Sequence, residues 1–284
     1  MRIYFLKFFQ KFEKAVKSCF YFSPFVRLMN PKIYQCVLAI PFGIVSSLSF
    51  ANDSKVKVEN GILSGNIGVV SQYVYRGGVE NDDLALQGGL EYAHKSGISI
   101  GYWGSTLDYD GTDESNHRGF EHDFYVSYGQ KINEDWSYNL KTTAYVYHKG
   151  GTVYGENDDH RKTTGFDVTG ELAYKNLSVA TSVMLVDASY ANAGDTYVNI
   201  AYTHPLADDF ALNTALGGSF YNANRDDSMI QTTQDFAFNE ARVGVSKSFA
   251  KEGLLVTLDY VLGGENRLGE DFDNHTVLGL SYNF

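Results

Sequence analysis

The feature that most constrains this chain is the way its connections alternate in length. About twelve stretches of alternating apolar and polar residues run through it, as in an up-and-down β-sheet. The short connections are 95–97, 131–135, 175–176, 205–209 and 250–253, and the long ones are 77–83, 108–119, 149–163, 187–195, 222–234 and 263–274. An up-and-down sheet places alternate connections at opposite ends, so one end carries tight turns and the other carries long polar loops. This asymmetry predicts an all-β fold: a closed antiparallel up-and-down transmembrane β-barrel of about twelve strands.

Within each stretch, period-two alternation separates an apolar face from a polar one. In the fifth stretch, for example, Leu140 and Ala144 oppose Lys141 and Thr143. No charged residue sits mid-strand on an apolar face, where Lys or Arg at the bilayer midplane would cost about 2–4 kcal/mol. The large apolar side chains also exceed what one barrel lumen holds. We therefore expect the apolar faces to meet lipid; a soluble β-sandwich is the alternative.

The first stretch is predicted to be one strand from Leu63 to Arg76, with Tyr73 and Tyr75 on its lipid face. Aromatic residues near the ends of this and other stretches indicate the girdles that membrane barrels place at the two headgroup levels. The last stretch finishes on Phe284, preceded by apolar residues at alternate positions. This end is similar to the terminal strand that the outer-membrane barrel assembly machinery recognises.

The N-terminal region predicts export. A single positive charge, Lys32, precedes an apolar run, and Ser49-Phe50-Ala51 supplies a small-residue cleavage pattern. The run is short and interrupted by Pro41 and Gly43, which favours a cleaved signal over a membrane anchor. Residues 29–51 are therefore interpreted as a secretory signal peptide.

This interpretation divides the rest of the chain. Residues 1–28 precede a second methionine, Met29, in the ideal starting position. They are interpreted as an over-extended start, with an unusually long n-region of the signal as the alternative. Residues 52–60 are expected to form a short periplasmic segment, and residues 61–284 the barrel. The predicted location is the outer membrane of a Gram-negative bacterium.

Removal of residues 1–51 leaves a strongly acidic protein. That segment holds seven of the 23 Lys and Arg and one of the 34 Asp and Glu, so 16 basic and 33 acidic residues remain, a net charge of −17. Such a surface excludes nucleic acid as a partner, because phosphates need basic contacts. Both cysteines, Cys19 and Cys36, fall in the removed part, which excludes a disulfide or a cysteine metal site. A membrane protein without an apolar run of ~20 residues must be a closed barrel.

The charged residues on the polar faces are the predicted lining of a pore. They are Arg76, Glu91, Glu121, Asp123, Lys141, Asp167, Glu171, Glu240, Arg242 and Asp259. Because acids outnumber bases among them, we expect a mild preference for cations. About twelve strands lie between the eight that leave a filled interior and the 16–18 that leave an aqueous channel. The path would be plugged if these charges paired with one another across the lumen. It would be narrowed by aromatic side chains that point inward, for which the candidates are Trp103, Tyr125, Tyr145 and Tyr147.

No catalytic, cofactor or metal site is expected. The best candidate for hydrolysis is Asp158-Asp159-His160 in the longest loop, but a run of acids there is typical of a solvated loop. The acids of 108–113 resemble a calcium loop with the wrong spacing, and Gly119 stands where the last ligand belongs. Contact of loop carboxylates with lipopolysaccharide through divalent cations is the remaining metal hypothesis. No glycine-rich loop opens a helix after a strand, so nucleotide binding is not expected.

Two elements near the start of the barrel resemble a known family. The first is Ser71-Gln72-Tyr73-Val74-Tyr75-Arg76-Gly77, and the second runs from Ala85 to Ser105 as ALQGGLEYAHKSGISIGYWGS. Both are similar to motifs of the TorF family of porins, and Phe120–Tyr125 is similar to that family's next acidic strand. Gln72 replaces the family's acidic residue, so an ion pair between this position and Arg76 does not follow from the resemblance.

The resemblance implies a porin, in agreement with the strand pattern. We expect passive diffusion of small hydrophilic solutes through the barrel, with outer-membrane lipid and lipopolysaccharide as surroundings and no enzymatic activity. The alternative is a non-conducting structural or adhesion barrel that acts through its acidic extracellular loops.

Overall fold

The computed structural model describes residues 56–113, 115–147, 150–155, 159–222 and 229–284. The predicted signal peptide 29–51, the extension 1–28 and both cysteines lie outside these ranges. In the described part of the chain, no helix is long and apolar enough to cross a membrane.

The described residues form strands throughout. In chain order they are β1 (Val56–Val58), β2 (Gly61–Val70), β3 (Tyr73–Tyr75), β4 (Gly78–Asn81), β5 (Ala85–His94), β6 (Ile98–Leu107), β7 (Gly119–Lys131), β8 (Trp136–Tyr147), β9 (Thr152–Tyr154), β10 (His160–Lys162), β11 (Gly165–Tyr174), β12 (Leu177–Met184), β13 (Thr196–Pro205), β14 (Phe210–Phe220), β15 (Phe236–Phe249), β16 (Leu254–Gly263) and β17 (His275–Asn283).

Twelve of these strands close into one antiparallel barrel: β2, β5–β8 and β11–β17. Each pairs with its neighbours in the chain, and β17 returns to pair with β2, from Gly279 opposite Val70 to Asn283 opposite Asn66. Phe284 extends this seam through two backbone hydrogen bonds with Gly65, of 2.8 and 2.9 Å. Closure removes the unpaired edges that an open sheet would expose. The predicted fold class and strand number are therefore confirmed.

Strand β1 pairs with the first residues of β2, beyond the part of β2 that pairs with β17. Val56 pairs with Leu63 and Val58 with Gly61, and the tight turn between the strands places Asn60 at a φ of 63°. An asparagine tolerates this left-handed conformation better than most residues. The predicted segment 52–60 thus contributes a short strand that continues the sheet at the barrel rim.

The barrel carries its apolar side chains on the outside. Leu140 and Leu258 expose 54% and 52% of their surface, whereas the adjacent Lys141 and Asp259 expose 3% and 5%. A soluble sandwich would show the reverse arrangement, so that alternative is wrong. The charged faces close around the interior, as the alternation predicted.

Aromatic rings mark both ends of this apolar band. At the end with the short turns, the exposed rings of Trp136 and Tyr174 have centroids 4.8 Å apart. At the end with the long loops, the exposed rings of Phe220 and Phe236 have centroids 4.8 Å apart. Aromatic pairs at these two levels are typical of the interfacial girdles of membrane barrels.

The first strand is shorter than predicted. It ends at Val70, and the chain then turns into the barrel as a small hairpin of β3 and β4. The prediction that Tyr73 and Tyr75 face lipid is wrong. Tyr73 is 2% exposed, and its ring lies edge-on to Trp103 with a centroid distance of 5.7 Å. Tyr75 packs, partly buried, against the same interior cluster. The alternation continues past Val70 because the next residues still form a strand, but one that pairs with β4 instead of the barrel wall.

The orientation of the faces predicts unequal effects of charge at adjacent positions. We expect Leu140→Lys to destabilise the folded barrel by about 2–4 kcal/mol, since it places an ammonium group in hydrocarbon near mid-strand. Asn139→Lys, whose side chain faces the half-exposed interior, should change stability by only ~0.5 kcal/mol. Urea-induced unfolding in lipid vesicles, followed by tryptophan fluorescence, measures both. Equal effects of the two substitutions would contradict the assigned orientation.

Candidate functional site: the barrel interior

The interior is tightly filled toward the long loops and more open toward the short turns. Along β8 the inward-facing Lys141, Thr143 and Tyr145 are buried, whereas Ser137 and Asn139, nearer the short turns, are half-buried. Half-buried inward residues also mark this end on β7 and on β15–β17: Tyr125, Ser127, Ser246, Ser248, Thr257, Ser281 and Asn283. The wall formed by β12 and β13 is the exception, with Ser178 and Thr203 buried there. Access to the interior is therefore widest from the short-turn end.

The β3–β4 hairpin is what fills the long-loop end. Its two strands are joined by Arg76 and Gly77, at φ angles of 50° and 86°. Two central residues with positive φ define a type I′ turn, the connection that best fits the twist of a hairpin. A left-handed arginine costs about 1 kcal/mol or more, so the contacts of its side chain must offset that strain.

The hairpin reaches into the lumen and contacts β15, which lies three strands from β2 around the barrel. It starts from β2, the first barrel strand, and its tip lies against β15: a Cβ on Gly77 would meet the backbone oxygen of Asn239 at 2.4 Å. The Arg242 guanidinium donates to the Val74 carbonyl oxygen at 3.4 Å. These contacts hold the tip and one strand of the hairpin against β15.

Arg76 is held by an acid and a ring on the far wall, and by the ring of its neighbour in the hairpin. Its guanidinium lies 3.8 Å from a carboxylate oxygen of Asp167 on β11, and 4.8 and 4.5 Å from the ring centroids of Tyr75 and Tyr197. The Tyr145 hydroxyl donates to the same Asp167 oxygen at 2.9 Å. A guanidinium between aromatic faces and beside a carboxylate is a favourable arrangement for a buried arginine. Asp167 is therefore the ion-pair partner of Arg76.

A second charge pair lies beside the first. Arg242 donates to Glu240 at 2.9 Å, and the Tyr197 hydroxyl donates to the other oxygen of Glu240 at 2.9 Å. Both Asn239 and Glu240 face inward because the ladder between β14 and β15 has a bulge at Gly217 and Gly218. Bulges of this kind re-aim side chains toward a functional surface.

The ten predicted interior residues all lie on the inward side, but they do not form one ring. Arg76, Asp167, Glu240 and Arg242 belong to the two charge pairs that hold the hairpin. Glu121, Asp123, Lys141 and Asp259 are each at most 5% exposed. Glu91 and Glu171 are half-buried, and Glu91 accepts a 3.1 Å hydrogen bond from the Tyr125 hydroxyl. Trp103, Tyr145 and Tyr147 also point inward, as the sequence suggested.

Several of these polar groups have no hydrogen-bond partner among the described residues. On three consecutive strands they are Glu121 Oε2, Asp123 Oδ1, Lys141 Nζ, Thr143 Oγ1 and Asp167 Oδ1; others include Asp259 Oδ2 on the other side of the barrel. More than nine in ten buried polar groups in folded proteins are partnered. A cluster of exceptions on β7, β8 and β11 therefore distinguishes this part of the wall from an ordinary core.

Sequence reasoning missed the hairpin and with it the roles of Tyr197 and Asn239. A signal for the hairpin was present, since Arg76-Gly77 lies between alternating residues and a two-residue connection ending in glycine is typical of a tight hairpin turn. Asn239 carried no comparable signal, because its inward position depends on the bulge.

The remaining candidates lie in the loops. Asp158 is outside the described residues, and no group of His, Cys, Asp and Glu that could hold a metal occurs in the part of the chain that the structure describes. Asp110 instead organises its own loop, accepting hydrogen bonds from Thr112 and Asn116. Nearby, burial raises the pKa of the Glu80 carboxyl, although the Tyr109 hydroxyl donates to it at 2.5 Å and opposes that shift.

The turn geometry predicts how the hairpin can be dislodged. We expect Gly77→Ala to release it, because the positive φ strains alanine and the new Cβ would clash with the Asn239 carbonyl. Gly78→Ala is the matched control, since its Cβ would meet its nearest neighbour at an ordinary 3.5 Å. Trypsin treatment of the folded protein, with mass spectrometry of the fragments, should reveal cleavage after Arg76 in the first variant alone. Protection of Arg76 in both variants would show that the hairpin is not seated by this contact.

Several solved structures of outer-membrane proteins are similar to this chain. The KdgM porin is 10% identical with a TM-score of 0.47, covering 78% of this chain and 99% of its own. OprD from Pseudomonas aeruginosa is 12% identical with a TM-score of 0.40, covering 81% and 67%. The outer membrane phospholipase A from Escherichia coli is 13% identical with a TM-score of 0.41, covering 77% and 95%. Such similarities concern barrel form alone and carry nothing about activity.

No curated protein matches the sequence significantly. The model of the family described as "Bacterial protein of unknown function (Gcw_chp)" matches residues 58–268, which include every barrel strand except β17. Because this match spans most of the chain, the protein belongs to the Gcw_chp family.

Proposed function

We propose that the protein is an outer-membrane channel for the passive diffusion of small hydrophilic solutes. The observation that carries the proposal is a closed barrel with an apolar exterior and an interior lined by charged side chains, several of them without protein partners. Charged groups in a dry interior would be strongly destabilising. Water in the lumen solvates them and at the same time provides the path for solutes.

The hairpin sets the size of what can pass. It crosses the lumen at the long-loop end, where Tyr73 and Val74 are 2% and 1% exposed. Passage there is limited to the space between the hairpin and the wall, so the channel takes small solutes and conducts weakly. The resemblance of 71–105 to TorF porins supports the same function.

The charge of the lining favours cations. Arg76 and Arg242 are paired with Asp167 and Glu240, so their positive charges are compensated locally. The remaining predicted lining residues are five acids and Lys141. Rings of acidic side chains select cations at close quarters, and a mild preference follows from the one uncompensated lysine.

The cellular setting follows from the same proposal. The signal peptide 29–51 directs export, and the long loops face outward toward lipopolysaccharide, with the short turns and both ends of the barrel in the periplasm. The assembly machinery recognises the strand that ends at Phe284, whose ring lies over Gly65 at the seam. No catalytic step is part of this function.

A non-conducting structural or adhesion barrel is the second candidate. The observation that favours it is the hairpin itself, which fills the long-loop end and is held by the ion pair of Arg76 with Asp167 and by the hydrogen bond from Arg242 to the Val74 carbonyl oxygen. Recording from the purified protein in planar lipid bilayers separates the two candidates. Reproducible conductance steps support the channel, and silence from correctly folded protein supports the structural barrel.

Charge reversal tests the selectivity. We expect Asp123→Lys combined with Glu171→Lys to lower the cation/anion permeability ratio several-fold, because both acids face the interior. Glu134→Lys, at an exposed position of a short turn, is the control and should leave the ratio near that of the wild type. Reversal potentials in a potassium chloride gradient give the ratio. An unchanged ratio in the double variant would remove these acids from the ion path.

Loss of the arginine anchor tests the constriction. We expect Arg76→Ala to raise single-channel conductance at least two-fold, since the hairpin loses its ion pair with Asp167 and its contact with the Tyr197 ring on the far wall. Arg118→Ala, which removes an exposed loop arginine, is the control. Equal conductance in wild type and Arg76→Ala would show that the path does not run past the hairpin.

A further inference from the structure

The interior contains a group of polar side chains that the charge pairs of the hairpin do not explain. It is formed by Asp123 on β7, Lys141 and Thr143 on β8, and Asp167 on β11. The strands are neighbours, and their register places Thr143 directly opposite both Tyr125 and Asp167. Lys141 lies one inward position from Thr143 on the same strand, toward the more open short-turn end.

Each of these four residues presents an unpartnered polar atom to the interior. Lys141 Nζ, Thr143 Oγ1, Asp123 Oδ1 and Asp167 Oδ1 make no hydrogen bond with any described residue, although all four residues are at most 3% exposed. The nearest aromatic contact of the ammonium group is the Tyr125 ring, with its centroid 5.6 Å away. Asp123 and Asp167 nevertheless act on Lys141 electrostatically. The register and these electrostatic interactions put the four residues in one part of the lumen, yet none of them is the hydrogen-bond partner of another.

The charges of the group are not equivalent. Asp167 already faces the guanidinium of Arg76 and accepts from Tyr145. Asp123 has no such ion-pair partner among the described residues, and neither does Lys141. What remains is one acid and one ammonium group, with a hydroxyl beside them that can donate or accept.

We propose that these residues form a binding site for a small zwitterion that carries an ammonium and a carboxylate group, such as a small α-amino acid. Its carboxylate would be bound by Lys141 and Thr143, and its ammonium group by Asp123 with the free oxygen of Asp167. Charge-assisted hydrogen bonds of this kind are stronger than neutral ones. The inference deepens the proposed function, on which it rests, by naming the solute class of the channel.

The position of the site suits a channel. The solute would reach it from the short-turn end past half-buried residues such as Asn139 and Glu171. The hairpin lies immediately beyond, with Arg76 on the far side of Asp167. A bound zwitterion would therefore sit directly before the narrowest part of the path and block ion flow while it stays there.

Glycine is the probe, and its block of channel current is the readout. Glycine should reduce conductance in planar bilayers in a saturable manner, whereas acetate and methylammonium, which carry one charge each, should do so only at ten-fold higher concentration or more. Lys141→Met and Asp123→Asn should each raise the half-blocking concentration of glycine at least ten-fold. Asp259→Asn, which alters an unpartnered acid elsewhere in the lumen, should leave it within two-fold of wild type.

A second measurement separates failure of the site from failure of the channel. Binding of radiolabelled glycine to the folded protein in detergent does not depend on conduction, and resistance of the barrel to heating in detergent verifies that each variant is folded. A conducting protein with no saturable glycine block and no binding overturns the site but leaves the channel. A silent protein that binds glycine, with binding lost in Lys141→Met, overturns the channel and keeps the site. Equal effects of glycine, acetate and methylammonium would mean that water alone solvates these groups, and would overturn the proposal.

Discussion

The structure depends on one constraint: inside a bilayer, each backbone N–H and C=O must find its partner within the protein. The barrel meets it by pairing β17 with β2. Phe284 completes this seam, because its backbone bonds to Gly65 and its ring covers the same glycine, where any Cβ would lie within 2.7 Å of the ring. In the chain, β17 follows every other barrel strand, so the barrel can close only after all twelve strands are present.

Closure of the twelve strands then determines the position of the charged side chains. The apolar faces are outside, so each acid or base of the alternate faces is confined to one narrow lumen. Such burial is tolerable only when charges are paired or hydrated. At the long-loop end the chain pairs Arg76 of its own hairpin with Asp167 on β11, and Arg242 with Glu240 within β15. The strained left-handed conformation of Arg76 is maintained because the guanidinium has both an acid and two aromatic faces to contact.

The sequence predicted the wall well and the contents of the lumen poorly. Alternation assigned the faces of Leu140 and Lys141 correctly, because in a barrel each residue of a strand has only two directions to face. The same alternation misled at Tyr73, since a hairpin strand inside the lumen has the same period as a strand in the wall. The partner of Arg76 also could not be found from spacing, because Asp167 lies on a strand across the barrel and meets it only when the hairpin folds inward.

The lumen thus separates charges that hold the fold from charges that are free to act on a solute. Arg76 and Arg242 each have a carboxylate within ion-pair distance, and removing either acid would leave a buried cation behind. Lys141 has no such partner in the described part of the chain, although four carboxylates, those of Asp167, Asp123, Glu171 and Glu91, act on it electrostatically. A buried ammonium group without an ion-pair partner is tolerated only where water or a ligand can reach it. Access to Lys141 is from the short-turn end, where the inward-facing residues are half-buried. The difference between the arginines and Lys141 therefore marks the boundary between the locked end of the barrel and the end that solutes can enter.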